Sequence, residues 1–313
     1  MEQMSAIALS DGRLKLQTDE ISIDVLPAEG GRIASLQSRK SGLEFLIQSH
    51  RSSNVLLQPG LDTQFRNGPC AGIEECLPTI APCGSATVGG PAPDHGDFWQ
   101  LAWHVLSKDD RSLTIEAQGF SRPLTFRKTI SVERNELSVA YKICNVGNAA
   151  QSFLYACHPL FAVDAGDRIV LPDGIDTLRL DYSRRNRLGI KGDAVAWPET
   201  QEGIALDTAL PVTEATADMF YTSRLSNGAC SIHRKATDES CSILFSTEKL
   251  PYLGVWLCYG GWPDDAVENL QYAVALEPAI APFNALDEAQ RENAAKILEP
   301  KETFAFKIVF RIH

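Results

Sequence analysis

Apolar and polar residues alternate with a period of two along three stretches of the chain. Leu124, Phe126, Lys128, Ile130 and Val132 alternate with Thr125, Arg127, Thr129 and Ser131. Leu137, Val139, Tyr141 and Ile143 repeat the pattern after Glu133-Arg134-Asn135-Glu136, which predicts a hairpin. Phe304, Phe306, Ile308, Phe310 and Ile312 alternate with Thr303, Ala305, Lys307, Val309 and Arg311 near the C-terminus. A period of two turns every second side chain to one face, so each stretch predicts an antiparallel strand with one buried face. Shorter strands are predicted at Leu14–Gln17, Ile21–Val25, Arg32–Gln37, Trp99–Leu106, Leu113–Gln118, Gln151–Cys157, Cys230–His233, Ser242–Ser246, Gly254–Tyr259 and Gln271–Leu276. Gly, Pro and Asn turns separate them. The expected fold is all-β, a large antiparallel β-sandwich with one or two short helices, forming a single domain over residues 1–313.

The predicted helix has Asn284 as its cap, an Asp287–Arg291 ion pair one turn apart, and Leu286, Gln290, Asn293 and Ile297 along one side. It must stop before Pro300. Gln58–Asp94 and Asp181–Glu202 read as long loops, the places where sites are built on a rigid sandwich.

Composition narrows the class of ligand. Hydrophobic residues make up 44% and charged residues 22% of 313, the balance of an ordinary folded protein. The net charge of −11 repels phosphate backbones and anionic membranes, so neither nucleic acid nor membrane is expected as a partner. A small molecule fits better, bound by a monomer or a homodimer. Met1–Ser10 carries Glu2 and no apolar run, unlike a secretory leader. The eight cysteines stand singly with no CxxC pair, so the expected compartment is the reducing cytoplasm.

Three groups stand in unusual surroundings. His95 lies in Pro93-Asp94-His95-Gly96-Asp97-Phe98-Trp99, between a long loop and a strand, and His158 lies in Tyr155-Ala156-Cys157-His158-Pro159-Leu160-Phe161, where proline is expected to end a ladder. Glu277 closes the apolar run Leu270-Gln271-Tyr272-Ala273-Val274-Ala275-Leu276, where a carboxylate is costly without partners. Taken singly, each histidine is better explained as a packed or capped core residue, and Glu277 equally well as a strand-end glutamate pointing at water. His50, His104, His233 and His313 lack such context and read as structural or surface residues.

Together these segments resemble the galactose mutarotase-like superfamily, and within it the aldose 1-epimerase family. His95-Gly96 with Trp103 resembles the family's first histidine segment, and His158-Pro159-Leu160-Phe161 its His-x-Tyr-Phe segment, with leucine in place of tyrosine. Ala217-Asp218-Met219-Phe220-Tyr221 resembles the segment bearing a substrate-binding aspartate, and Leu276-Glu277-Pro278 the one bearing the catalytic glutamate. Ala71-Gly72-Ile73-Glu74-Glu75-Cys76-Leu77-Pro78 is similar to the Gly-Gly-x-Pro-x-x-x-Pro segment of the hexose-6-phosphate 1-epimerase branch. Here Ala71 replaces a glycine, Cys70 stands where that branch has arginine, and Arg66 is nearby but out of register.

The resemblance implies a β-supersandwich and a mutarotase that interconverts sugar anomers without cofactor or metal. It implies Glu277 as base, His158 as acid, His95 supporting the ring oxygen or a neighbouring hydroxyl, and Asp218 holding sugar hydroxyls. Glu74 and Glu75 read either as a solvated loop or as partners for sugar hydroxyls; both disfavour a phosphate in that loop. Trp256, Tyr259 and Trp262 surround the approach to Glu277 and suit stacking on a sugar face. Two alternatives stay open. Arg184, Arg185, Arg187 and Lys191 would suit an anionic sugar. A non-catalytic carbohydrate-binding protein could share the fold.

Overall fold

The structure, a computed structural model, describes residues 12–49, 58–265 and 270–313. In chain order the strands are β1 (Leu14–Gln17), β2 (Ile21–Leu26), β3 (Arg32–Ser38), β4 (Gly72–Cys76), β5 (His104–Lys108), β6 (Ser112–Gln118) and β7 (Leu124–Glu133). There follow β8 (Glu136–Asn145), β9 (Gln151–Phe153), β10 (Ala156–Phe161), β11 (Arg168–Val170), β12 (Thr177–Ser183), β13 (Ala194–Ala196) and β14 (Thr216–Thr222). The last are β15 (Ala229–Arg234), β16 (Glu239–Phe245), β17 (Tyr252–Tyr259), β18 (Tyr272–Ala279), β19 (Lys296–Leu298) and β20 (Thr303–Ile312).

Ten strands form one antiparallel sheet in the order β1-β2-β3-β4-β10-β18-β17-β14-β12-β13, and eight form a second in the order β11-β15-β16-β20-β8-β7-β6-β5. The second sheet holds the alternating strands: β7 and β8 pair from Leu124↔Asn145 to Glu133↔Glu136, and β20 pairs with β8. Their apolar faces meet the ten-stranded sheet in one core. There the Tyr155 ring packs within 4.7–5.9 Å of Phe126, Tyr141 and Phe306. Each fully buried large apolar side chain in such a core contributes roughly 1.5–3 kcal/mol. The fold is thus the all-β sandwich expected from the alternation.

Several boundaries differ from the sequence reading. Trp99 belongs to a 3-10 turn (Phe98–Gln100), and the strand expected from it starts only at His104. The expected Gln151–Cys157 strand is divided: β9 pairs with β19, while β10 enters the large sheet. The Gln58–Asp94 stretch contains β4, and the Asp181–Glu202 stretch contains the end of β12 and all of β13. Helix α1 spans only Leu286–Arg291, burying Leu286 and Ala289, and Ile297 sits on β19. Asn284 does not cap it, because its side chain is committed elsewhere: it accepts from the Tyr221 hydroxyl and donates to Asp181. Among the described residues no helix is long and apolar enough to cross a membrane.

Candidate active site

Pro159, expected to end a strand, lies inside one, and so does Pro278. β10 runs through Pro159 to Phe161, and β18 runs through Glu277 and Pro278 to Ala279. The β10–β18 register is held at Ala156↔Ala279, Leu160↔Ala275 and Phe161↔Val274, and the ladder lapses between. Proline has no N–H to donate, so Pro159 and Pro278 are tolerated where the ladder opens. His158 and Glu277 stand in that opening, and Nε2 of His158 lies 3.7 Å from Oε1 of Glu277.

Both are buried. Burial pushes the Glu277 carboxyl up from 4.5 to about 8. Burial, then the neighbouring His95, pushes the His158 imidazole well below its usual range, against an opposing pull from Asp94. Taking charge out of water disfavours the ionised form of each group. The ligand-free pair is therefore neutral at pH 7, with its proton on Glu277.

His95 reaches the same place from the loop. Its backbone takes a left-handed conformation (φ 57°), which non-glycine residues rarely adopt, and its N–H donates to Ile80 O. Gly96 must follow, because a Cβ there would stand 2.0 Å from Leu77 O. The His95 ring stacks on Phe65 at 3.8 Å and meets His158 edge-on at 5.3 Å. Nδ1 of His95 bonds Asp94 Oδ1 at 2.8 Å, and Asp94 also accepts the Phe65 N–H. Burial raises the Asp94 carboxyl, but these bonds and the two histidines outweigh it and hold it low.

These groups line a cavity of about 540 Å³, within the range of small-molecule sites. Of the residues singled out in the sequence, His95, His158, Glu277, Arg66, Trp256 and Trp262 line it. Arg66 Nη1 donates to both carboxylate oxygens of Asp265 across the cavity wall, at 2.8 and 2.9 Å.

Four expected substrate contacts are absent from the lining. Asp218 lies on the opposite face of β14 from cavity-lining Met219, where it accepts from Ser183 and is ion-paired to Arg187. Glu75 points into the sandwich core, taking the Tyr155 hydroxyl at 2.7 Å and facing Lys128 Nζ at 3.4 Å. Glu74 shares the His158 face of its sheet but lies on the far side of His158 from Glu277. Tyr259 belongs to the core, since β17 turns Trp256 to the cavity and Tyr259 away from it.

Three of the four basic residues in the Arg184–Lys191 stretch already have carboxylate partners. Arg184 bonds Asp264, Arg187 bonds Asp218, and Lys191 bonds Asp181 and Glu288. His104 and His313 are exposed, and His233 bonds Ser240 at the surface. His50 lies outside the described residues.

The sequence reading missed Tyr182, Asp264, Gln271 and Asn284 as lining residues. Asp264 accepts from the Tyr182 hydroxyl at 2.9 Å, and Gln271 accepts from Trp256 Nε1 at 2.6 Å. The turn-forming Trp262-Pro263-Asp264-Asp265 run beside a tryptophan-bearing strand was the available signal for Asp264. Asn284 gave none, since asparagine before an apolar residue reads first as a cap.

Neither a family model nor a curated protein matches the sequence. Solved structures do match the fold. A galactose mutarotase-like protein from Lactobacillus casei ATCC 334 superposes with a TM-score of 0.70 at 16% identity, over 96% of this chain and 100% of that one. The chain has the galactose mutarotase-like fold. The Slr1438 protein from Synechocystis sp. PCC 6803 superposes with a TM-score of 0.71 at 16% identity, covering 100% of this chain and 99% of that one. A galactose mutarotase related enzyme from Lactobacillus acidophilus gives 0.67 at 14%, over 96% and 97%. At such identities the likeness is one of fold.

Proposed function

We propose that the protein is an aldose 1-epimerase acting on a neutral aldose, with Glu277 and His158 as its acid–base pair. The observation that carries this is the buried pair itself, 3.7 Å apart in a 540 Å³ cavity with aromatic walls. Anomer exchange needs one group to take the O1 proton and another to give a proton to the ring oxygen. Only then does the C1–O5 bond break to the open aldehyde. Rotation about C1–C2 and the reverse transfers close the other anomer, so atoms and protons balance with nothing consumed.

A pair holding one proton supplies both roles. At rest that proton is on Glu277; its passage to Nε2 of His158 leaves a carboxylate for O1 and an imidazolium for the ring oxygen. His95, fixed by Asp94 and Phe65, supports a neighbouring oxygen. Trp256 and Trp262 offer faces to the sugar ring. Because Arg66 and Arg184 already carry carboxylate partners, the described cavity offers an anionic sugar no uncommitted guanidinium. Two-dimensional exchange NMR on equilibrated aldoses tests the reading. Acceleration of α–β exchange by the protein supports it, and sugar binding with no acceleration favours a carbohydrate-binding protein instead.

A further inference from the structure

His158 has a second flank. It is paired directly with Glu74 across β10 and β4, and opposite residues of an antiparallel pair share one face. Ile33 pairs with Ile73, and one further step along that register sets Arg32 opposite Glu74. Arg32, Glu74, His158 and Glu277 thus form one transverse row over four adjacent strands, exposed by only 4, 3, 6 and 2%. Each ends in a buried polar atom without a hydrogen-bond partner: Arg32 Nε, Glu74 Oε2, His158 Nδ1 and Glu277 Oε2. Four such atoms in one row need an explanation, because buried polar groups are normally satisfied.

The imidazole explains two of them. Its two nitrogens lie on opposite edges of the ring. Nε2 faces Glu277, whose carboxyl carries the proton at rest, so the ring's own proton sits on Nδ1 and requires an acceptor. The cross-strand neighbour on that flank is Glu74.

No bond joins His158 Nδ1 to Glu74 in the structure, both side chains leaving an unpaired buried atom. We propose that Glu74 turns to accept Nδ1–H and so acts as a positioning residue for His158, holding Nε2 free to receive the Glu277 proton. This deepens the epimerase reading, since an imidazolium forming at His158 needs a nearby anion. Burial pushes the Glu74 carboxyl up to about 7, and Arg32 is the foremost group favouring its charged form, ahead of Lys128. Arg32 is itself held by Glu29 at 2.8 Å. The titratable groups that act on His158 itself are His95 and Asp94.

The test is 15N NMR of the histidine rings in the ligand-free wild type, Glu74→Gln and Glu74→Leu, with kcat and KM measured alongside. The wild type should hold His158 as the Nδ1–H tautomer. Glu74→Gln should keep it, because the amide oxygen accepts the same bond. Glu74→Leu should shift it toward Nε2–H and lower kcat about 10-fold with KM little changed, part of the roughly 100-fold or more that acid–base groups contribute. A wild type already in the Nε2–H form overturns the proposal, whether or not a variant folds, as does a Leu variant with unaltered ring shifts. The tautomer is read without sugar, so failure of the epimerase reading would show separately, as absent anomer exchange in the wild type.

Discussion

Replacing Glu277 by glutamine should make the protein inactive and, at alkaline pH, more stable. The carboxyl is buried, with Oε2 unpartnered, and sits at about 8 against an ordinary 4.5. Folding therefore holds this proton more tightly than the unfolded chain does. The stability so gained is fully present below pH 4.5 and is lost as pH rises through about 8. Each pH unit is worth about 1.4 kcal/mol, so between pH 5 and pH 9 the wild type should lose about 4 kcal/mol that a neutral glutamine does not. Urea unfolding of both proteins at several pH values reads the difference, in which the other titrating groups cancel. The gap should be smallest near pH 5 and favour Glu277→Gln by a few kcal/mol at pH 9. Parallel stability curves across that range would mean that burial does not hold Glu277 protonated, and that the resting proton is not on its carboxyl.

His158→Ala should lower anomer exchange about 100-fold or more while far-ultraviolet circular dichroism stays unchanged; near-normal turnover would remove His158 from the chemistry. Lys128→Met should cost about 3–5 kcal/mol in urea unfolding by stranding Glu75 in the core, and adding Glu75→Gln should recover most of it. If the double variant is no better than the single one, the pair is not coupled. Changing Arg184, Arg185 and Arg187 together to Ser should lower stability, chiefly by stranding buried Asp218, and leave the ratio of phosphorylated to neutral sugar turnover unchanged. A selective rise in KM for the phosphorylated sugar would instead show that the loop reads substrate charge.

The second sheet was legible because its strands have one wet face: β7, β8 and β20 alternate over ten residues each. The first sheet was less so. β2, β4 and β10 are buried at every position, which removes the alternation that reveals register and facing. For that reason Glu74 and Glu75 read as a loop pair, although β4 turns one toward His158 and the other into the core. Asp218 and Met219 suffered the same ambiguity, one step of facing apart. Pro159 misled in another way. It looked like a strand end, yet it lies with Pro278 in a local gap of a continuing ladder, and that gap is where His158 and Glu277 meet. Asp264 and Asp265 come to the cavity through bonds to Tyr182 and Arg66, contacts between residues 82 and 199 positions apart that no local pattern encodes.

The most direct test is exchange NMR on equilibrated neutral, phosphorylated, sulfonated and carboxylated aldoses, each with buffer, wild-type protein and Glu277→Gln. The proposed function requires that at least one neutral aldose exchange its anomers faster with wild type than with buffer, and that Glu277→Gln return the rate to near the buffer value. Wild-type exchange no faster than buffer for every sugar, or full exchange by the glutamine variant, would contradict it.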